Sequence, residues 1–130
     1  MDREPLQDMD GVVERAASIA ARKINDTVQA QYASGTGPSG DPWAPLSPNT
    51  IAMGRSNPPL TNTGALAAGT TVLAEGTAIV ATLPPVGQYH QTGTSRMPQR
   101  QILPEGGLSE QWETIIIDAL DEEVRKCLGL

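Results

Sequence analysis

The chain has 130 residues, with thirteen glycines, eleven prolines, two tryptophans, two tyrosines, no phenylalanine and a formal net charge of −6. A length of this order suits one domain that buries roughly two-thirds of the surface of its unfolded form, but so few large apolar side chains against so many loops predict help from neighbouring subunits. The acids gather at the ends, six against four bases in residues 1–26 and six against two in 108–130, and without clustered Lys and Arg the chain lacks the means to read DNA through phosphate neutralisation.

From Asp8 or Asp10 to Tyr32 the residues Val13, Ala16, Ala17, Ala20, Ile24, Val28 and Tyr32 recur at three- and four-residue steps. This spacing predicts an amphipathic helix with a narrow, alanine-lined face, started by acids that suit the positive end of its dipole and stopped at Gly35. Residues 34–48 read as loop, since seven glycines and prolines in that stretch prevent a continuous helix or central strand. Trp43 within it needs an apolar pocket, either in its own domain or on another subunit. Ser47 and Pro48 form a cap and first-turn pair for a short helix to Gly54, and Thr63 caps a second turn through Ala65 to Ala68.

Thr70 to Ala74 and Thr77 to Leu83 are β-rich runs on either side of Glu75-Gly76, which predicts an antiparallel hairpin. Val72, Ala74, Ala78, Val80 and Thr82 are assigned to one face and Leu73, Ile79, Ala81 and Leu83 to the other. Both faces are moderately apolar, so both are expected to be covered, one by a helix and the other by another subunit or helix. Pro98 to Leu103, bracketed by prolines, reads as an extended edge strand, and Glu105-Gly106-Gly107 as a hinge. A second amphipathic helix follows over 108–128, capped by Ser109, with Leu108, Trp112, Ile115, Ile116, Ala119, Leu120, Val124 and Cys127 at helical spacing. Asp118, Asp121, Glu122 and Glu123 read as its solvated face, and Arg125 and Lys126 suit its negative end. Cys127, the sole cysteine, reads as a small buried group that fits a reducing cytosol. The N-terminus lacks an apolar leader core, and no window approaches 18 unbroken apolar residues, so neither export nor membrane spanning is expected.

Signatures of chemistry are missing. There is no phosphate-cradling loop ending in Lys, no nucleophile elbow, no paired cysteines and no two-histidine helical motif. His90 is the only histidine, and its neighbours Tyr89, Gln91, Thr92 and Gly93 supply no metal ligand set and no nucleophile. It reads as an interfacial or hydrogen-bonded side chain. No catalytic residue, cofactor or metal is therefore expected. Six residues on loops stand out as partner-interface candidates: Trp43, Tyr89, His90, Arg96, Arg100 and Ile102, because Arg and aromatic side chains are the types enriched at interface centres. Arg100 on the expected edge strand leads them, with a surface or intrachain salt bridge as the other reading.

Three segments carry a resemblance. Trp43-Ala44-Pro45-Leu46-Ser47 opens the middle of the chain and Leu60-Thr61-Asn62-Thr63-Gly64-Ala65-Leu66 divides it. Tyr89-His90-Gln91-Thr92-Gly93 followed by Met97-Pro98-Gln99-Arg100-Gln101-Ile102-Leu103 closes it. In that order the chain resembles the phage Mu-like virion morphogenesis and tail completion proteins of tailed bacteriophages over roughly Trp43 to Leu103. The expected fold is α+β, a small antiparallel sheet packed by an N-terminal and a C-terminal helix with long Pro/Gly-rich loops. The whole of 1–130 is one virion-assembly domain in this reading, with the first helix in 1–33, a loop with short turns in 34–69, sheet and loop in 70–104 and the last helix in 108–128.

The resemblance implies a structural protein of the neck or tail end, not an enzyme. It would complete or terminate the tail and join it to the head as a hexameric or dodecameric ring, assembled in the host cytoplasm and found in the virion. Its partners would be copies of itself and neighbouring neck, connector or tail-tube and sheath proteins, with DNA passing through the ring along acidic walls and no membrane involved. The alternative is a transient capsid or tail assembly factor absent from the finished particle. Residues 55–59 are short and proline-rich where members of that family carry a longer basic helix, which leaves its branch open.

Overall fold

The computed structural model describes residues 9–45, 65–94 and 98–130. The expected helix at 48–54, the Thr63 cap and Arg96 lie outside them. Along the described chain run α1 (Met9–Ser34), α2 (Ala65–Gly69), β1 (Thr71–Glu75), β2 (Ala78–Thr82), α3 (Pro85–Thr92) and α4 (Glu110–Leu128). The fold is α+β, with α1 and α4 packed on a two-stranded antiparallel sheet.

Helix α1 is the spine. Its buried stripe is Val12, Ala16, Ala17, Ala20, Ala21, Ile24, Val28 and Tyr32, one position earlier at the start than the Val13 expected. Gly35 ends it with φ of 72°, and its N–H donates to the Gln31 carbonyl at 2.8 Å. Where α1 meets α4, the contact is made by Ala16, Ala20 and Ala119 with Ile115 and Ile116 beside them, so small side chains bring the helices together. The larger core lies further along, where Ile24, Val28, Tyr32, Trp43, Val72, Ile102 and Trp112 pack.

A polar row on α1 fixes the root of the hairpin. Asn25 Oδ1 accepts from Val72 N at 3.0 Å. One turn on, Gln29 Nε2 donates to the carbonyls of Ala67 (2.8 Å) and Thr70 (3.1 Å). The Thr70 hydroxyl donates to Leu66 O, so the Tyr32 hydroxyl must be the donor in its 2.8 Å contact with Thr70 Oγ1. Burial raises the Tyr32 pKa above its ordinary value, with the Thr70 contact opposing. These bonds satisfy polar groups that α2 and β1 would otherwise bury unpaired.

The hairpin turns at Gly76-Thr77, with φ of 61° at Gly76, and pairs Ala74 with Ile79 and Val72 with Ala81. Residues opposite each other share a face, so Val72, Ala74, Ile79 and Ala81 face the helices and Leu73 and Val80 face away. This corrects the expected face assignment, which kept the two strands out of step by one residue. No described helix covers the outer face, where Leu73 is 62% and Val80 37% exposed.

Helix α4 begins and ends as its sequence dictates. Ser109 is the N-cap, its Oγ accepting from Trp112 N at 3.2 Å, and Gly129 closes the helix in the left-handed region with its N–H on the Arg125 and Lys126 carbonyls. Glu110 and Glu113 in the first turn and Arg125 and Lys126 in the last suit the dipole. Two expectations fail here. Glu123 is buried, not part of a solvated face, and is paired with Arg15 Nε at 3.3 Å and Lys126 Nζ at 3.5 Å. Leu108 and Leu120, placed on the buried stripe, are exposed.

Candidate functional site

The residues singled out by type and position converge on one place, where 43–45, 90–93 and 99–103 meet against α1. Residues 98–103 form no sheet strand, contrary to expectation. Their backbone is held instead by side chains. Gln91, on α3 and buried, turns its amide so that Oε1 accepts from Ile102 N (2.8 Å) and Leu103 N (3.0 Å). Its Nε2 donates to Leu103 O (2.6 Å) and Glu105 Oε1 (3.0 Å). One side chain thus satisfies both donors and an acceptor of a non-regular segment. Gln31 of α1 adds Nε2 to Ile102 O at 2.9 Å.

Trp43 and Arg100 complete the latch. Trp43 packs edge-on to Tyr32 with ring centroids 5.7 Å apart, and its indole N–H donates to Gln101 O at 2.7 Å. Arg100, 7% exposed, donates from Nε to Ala44 O (2.8 Å) and from Nη2 to Pro45 O (3.1 Å), while its backbone N–H donates to His90 O (2.8 Å). Burial pulls its pKa below the ordinary value. Two readings of Arg100 are corrected: it sits on no edge strand, and its described contacts are carbonyls inside the chain. Ile102 is fully buried. Trp43, Arg100 and Ile102 are therefore engaged within the fold.

Glycine makes the turn into this latch possible. Gly93 has φ of 75°, and a Cβ there would stand 3.0 Å from Gln99 N and 3.2 Å from Gln99 Cα. His90 beside it is half-buried, with Nδ1 shielded from solvent and without a hydrogen-bond partner. Burial, and then the Arg100 charge, lower its pKa below the ordinary value, so the imidazole is neutral near pH 7. Tyr89 points outward at 59% exposed, with Val86 at 55% on the same short helix. Of the six interface candidates, the structure thus brings five to one neighbourhood, with Tyr89 the exposed one.

Gln91 is the residue that composition and hydropathy do not reveal. Its signal lay only in its place between His90 and Gly93 in a quoted motif. Among the described residues no group of three or more His, Cys, Asp or Glu side chains is arranged to hold a metal ion. None of the described helices is long and apolar enough to cross a membrane. In this neighbourhood hydrogen-bond donors and acceptors lock three separate stretches onto α1. No protein family, no curated protein and no solved structure matches the chain.

Proposed function

We propose that this chain is a structural subunit of a tailed-bacteriophage particle, completing or terminating the tail and joining it to the head as an oligomeric ring. The observation that carries the reading is where the chain leaves its large apolar side chains. Leu73, Val86, Tyr89, Leu108 and Ile117 are each more than half exposed, while much of the buried interior is Ala and Val. A chain that spends bulky aliphatic groups on its surface is built for contact with other protein. The order of the Trp43, Leu60 and Tyr89 segments supplies the phage context.

Since Arg100 is buried, the ring contacts fall to this apolar surface and to the exposed acids of α4, Glu113, Asp118, Asp121 and Glu122. A head-to-tail ring needs two different patches on each subunit. Negative walls facing a channel would repel phosphate and let DNA pass without sticking. Electron microscopy of the purified chain, with mass spectrometry of purified virions, tests the proposal. Rings and a virion-borne chain are expected. Rings without the chain in virions would favour the transient assembly factor, and a chain that stays single and never enters a particle would refute both.

A further inference from the structure

The sheet stops one strand short of what its helices can cover. Val72 N–H turns away from β2 toward Asn25 Oδ1, so in the β1–β2 ladder the pairs Thr71–Thr82, Leu73–Val80 and Glu75–Ala78 exchange the hydrogen bonds. The N–H and C=O groups of Ile79 and Ala81 consequently point to the free side of β2, and among the described residues they meet no partner. The matching edge of β1 is closed at Val72 by Asn25. Under the free edge of β2 lies an apolar groove of about 90 Å³ whose lining includes Val13, Ala17, Ile116 and Leu120.

Exposed edges are ordinarily blunted by charge, proline or a bulge. This one has none. Residues 77–83 are uncharged and free of proline, and the β1–β2 register has no bulge. We infer that the free edge of β2 is a self-association edge, through which two copies of this chain pair antiparallel about a two-fold axis at Val80 into one four-stranded sheet.

The strand is self-complementary in that register. Ile79 lies opposite Ala81 of the second copy, large against small on the helix side, and these pairs exchange the orphan hydrogen bonds. Val80 meets Val80 of the second copy on the outer face, beside exposed Leu73. A chain of net charge −6 repels its own kind over most of its surface, and 77–83 is a stretch where two copies approach without like charges opposed. A β2-to-β1 pairing between copies is disfavoured because Asn25 occupies the β1 edge. The dimer does not depend on the phage reading.

Residues opposite each other in a non-hydrogen-bonded antiparallel pair have Cα atoms about 4.5 Å apart, within disulfide range. In a Cys127→Ser background, Val80→Cys is therefore expected to oxidise to a covalent dimer, whereas Thr82→Cys, opposite Ala78, is not. Ala81→Pro removes an edge N–H that the chain itself does not use, and Val80→Lys sets two charges on the axis. Each is expected to leave the far-ultraviolet circular dichroism unchanged and to weaken dimerisation at least tenfold in analytical ultracentrifugation. A wild-type chain that sediments as a monomer, or a dimer that survives Val80→Lys with no Val80→Cys cross-link, overturns the inference. If Ala81→Pro disturbs folding, Val80→Lys and the cross-link decide alone.

Discussion

Replacing Gln91 by Leu tests whether one amide holds the 99–103 segment in place. Leucine is close in volume but offers neither donor nor acceptor, so the N–H groups of Ile102 and Leu103 lose their acceptor at once, while the Leu103 carbonyl keeps the Gln101 Nε2 donor at 3.0 Å. Ile102 is fully buried, so water does not replace the bond at its N–H. A buried polar group left unpaired costs about 1–3 kcal/mol, and the part-buried Leu103 N–H adds less, so the loss is expected near 3 kcal/mol. With a urea slope of roughly 2 kcal/mol per molar for a small protein, the unfolding midpoint falls by about 1.5 M. Glu105→Ala is the control: it removes only the exposed acceptor at 3.0 Å and is expected to stay within about 0.5 kcal/mol. A Gln91→Leu midpoint indistinguishable from that of Glu105→Ala would refute the latch.

Arg100→Glu removes two charge-assisted donors from Ala44 O and Pro45 O, each worth about 1.5–3 kcal/mol, and calorimetry is expected to show a destabilised chain rather than a folded one that fails to assemble. Gly93→Ala forces a Cβ onto the Gln99 backbone at positive φ, and about 1–3 kcal/mol of strain is expected in denaturant unfolding. The His90 pKa is lowered in the fold, so its contribution to stability is complete above the unfolded value near 6.5 and is lost as the pH falls from there through the folded value. Unfolding midpoints between about pH 7.5 and 5.5 should therefore decline on acidification, and His90→Gln should flatten that decline.

Local signals made the helices legible. Ser109 starts α4 and Gly35 stops α1, because caps are chemistry that a few adjacent residues carry by themselves. The hairpin was legible as a pair but not in phase, since placing the turn at Glu75-Gly76 rather than Gly76-Thr77 shifts one strand by a residue and exchanges its faces. Glu123 shows the opposite case. It lies four residues beyond Ala119 on the buried stripe, so its spacing marked it as inward, and only its charge argued otherwise. Arg15 and Lys126 supply the compensation, and neither pairing can be read from one helix alone. The latch was least legible, because Gln91, Arg100 and Trp43 act on backbone carbonyls and N–H groups of distant stretches. Hydrogen bonds of that kind leave no period in the sequence. The prolines around 98–103 suggested an edge strand, and nothing in them showed that side chains would take the place of a neighbouring strand.

The seam of Ala16, Ala20 and Ala119 has an evolutionary corollary. Ala16 borders the groove beside β2, but Ala20 and Ala119 are fully enclosed, so drift at these two positions is confined to residues no larger than alanine or serine. Distant cousins that have lost every recognisable word of this text should still betray themselves by two tiny residues, one in the opening helix and one in the closing helix, with a glutamine between them that reads a stretch of bare backbone.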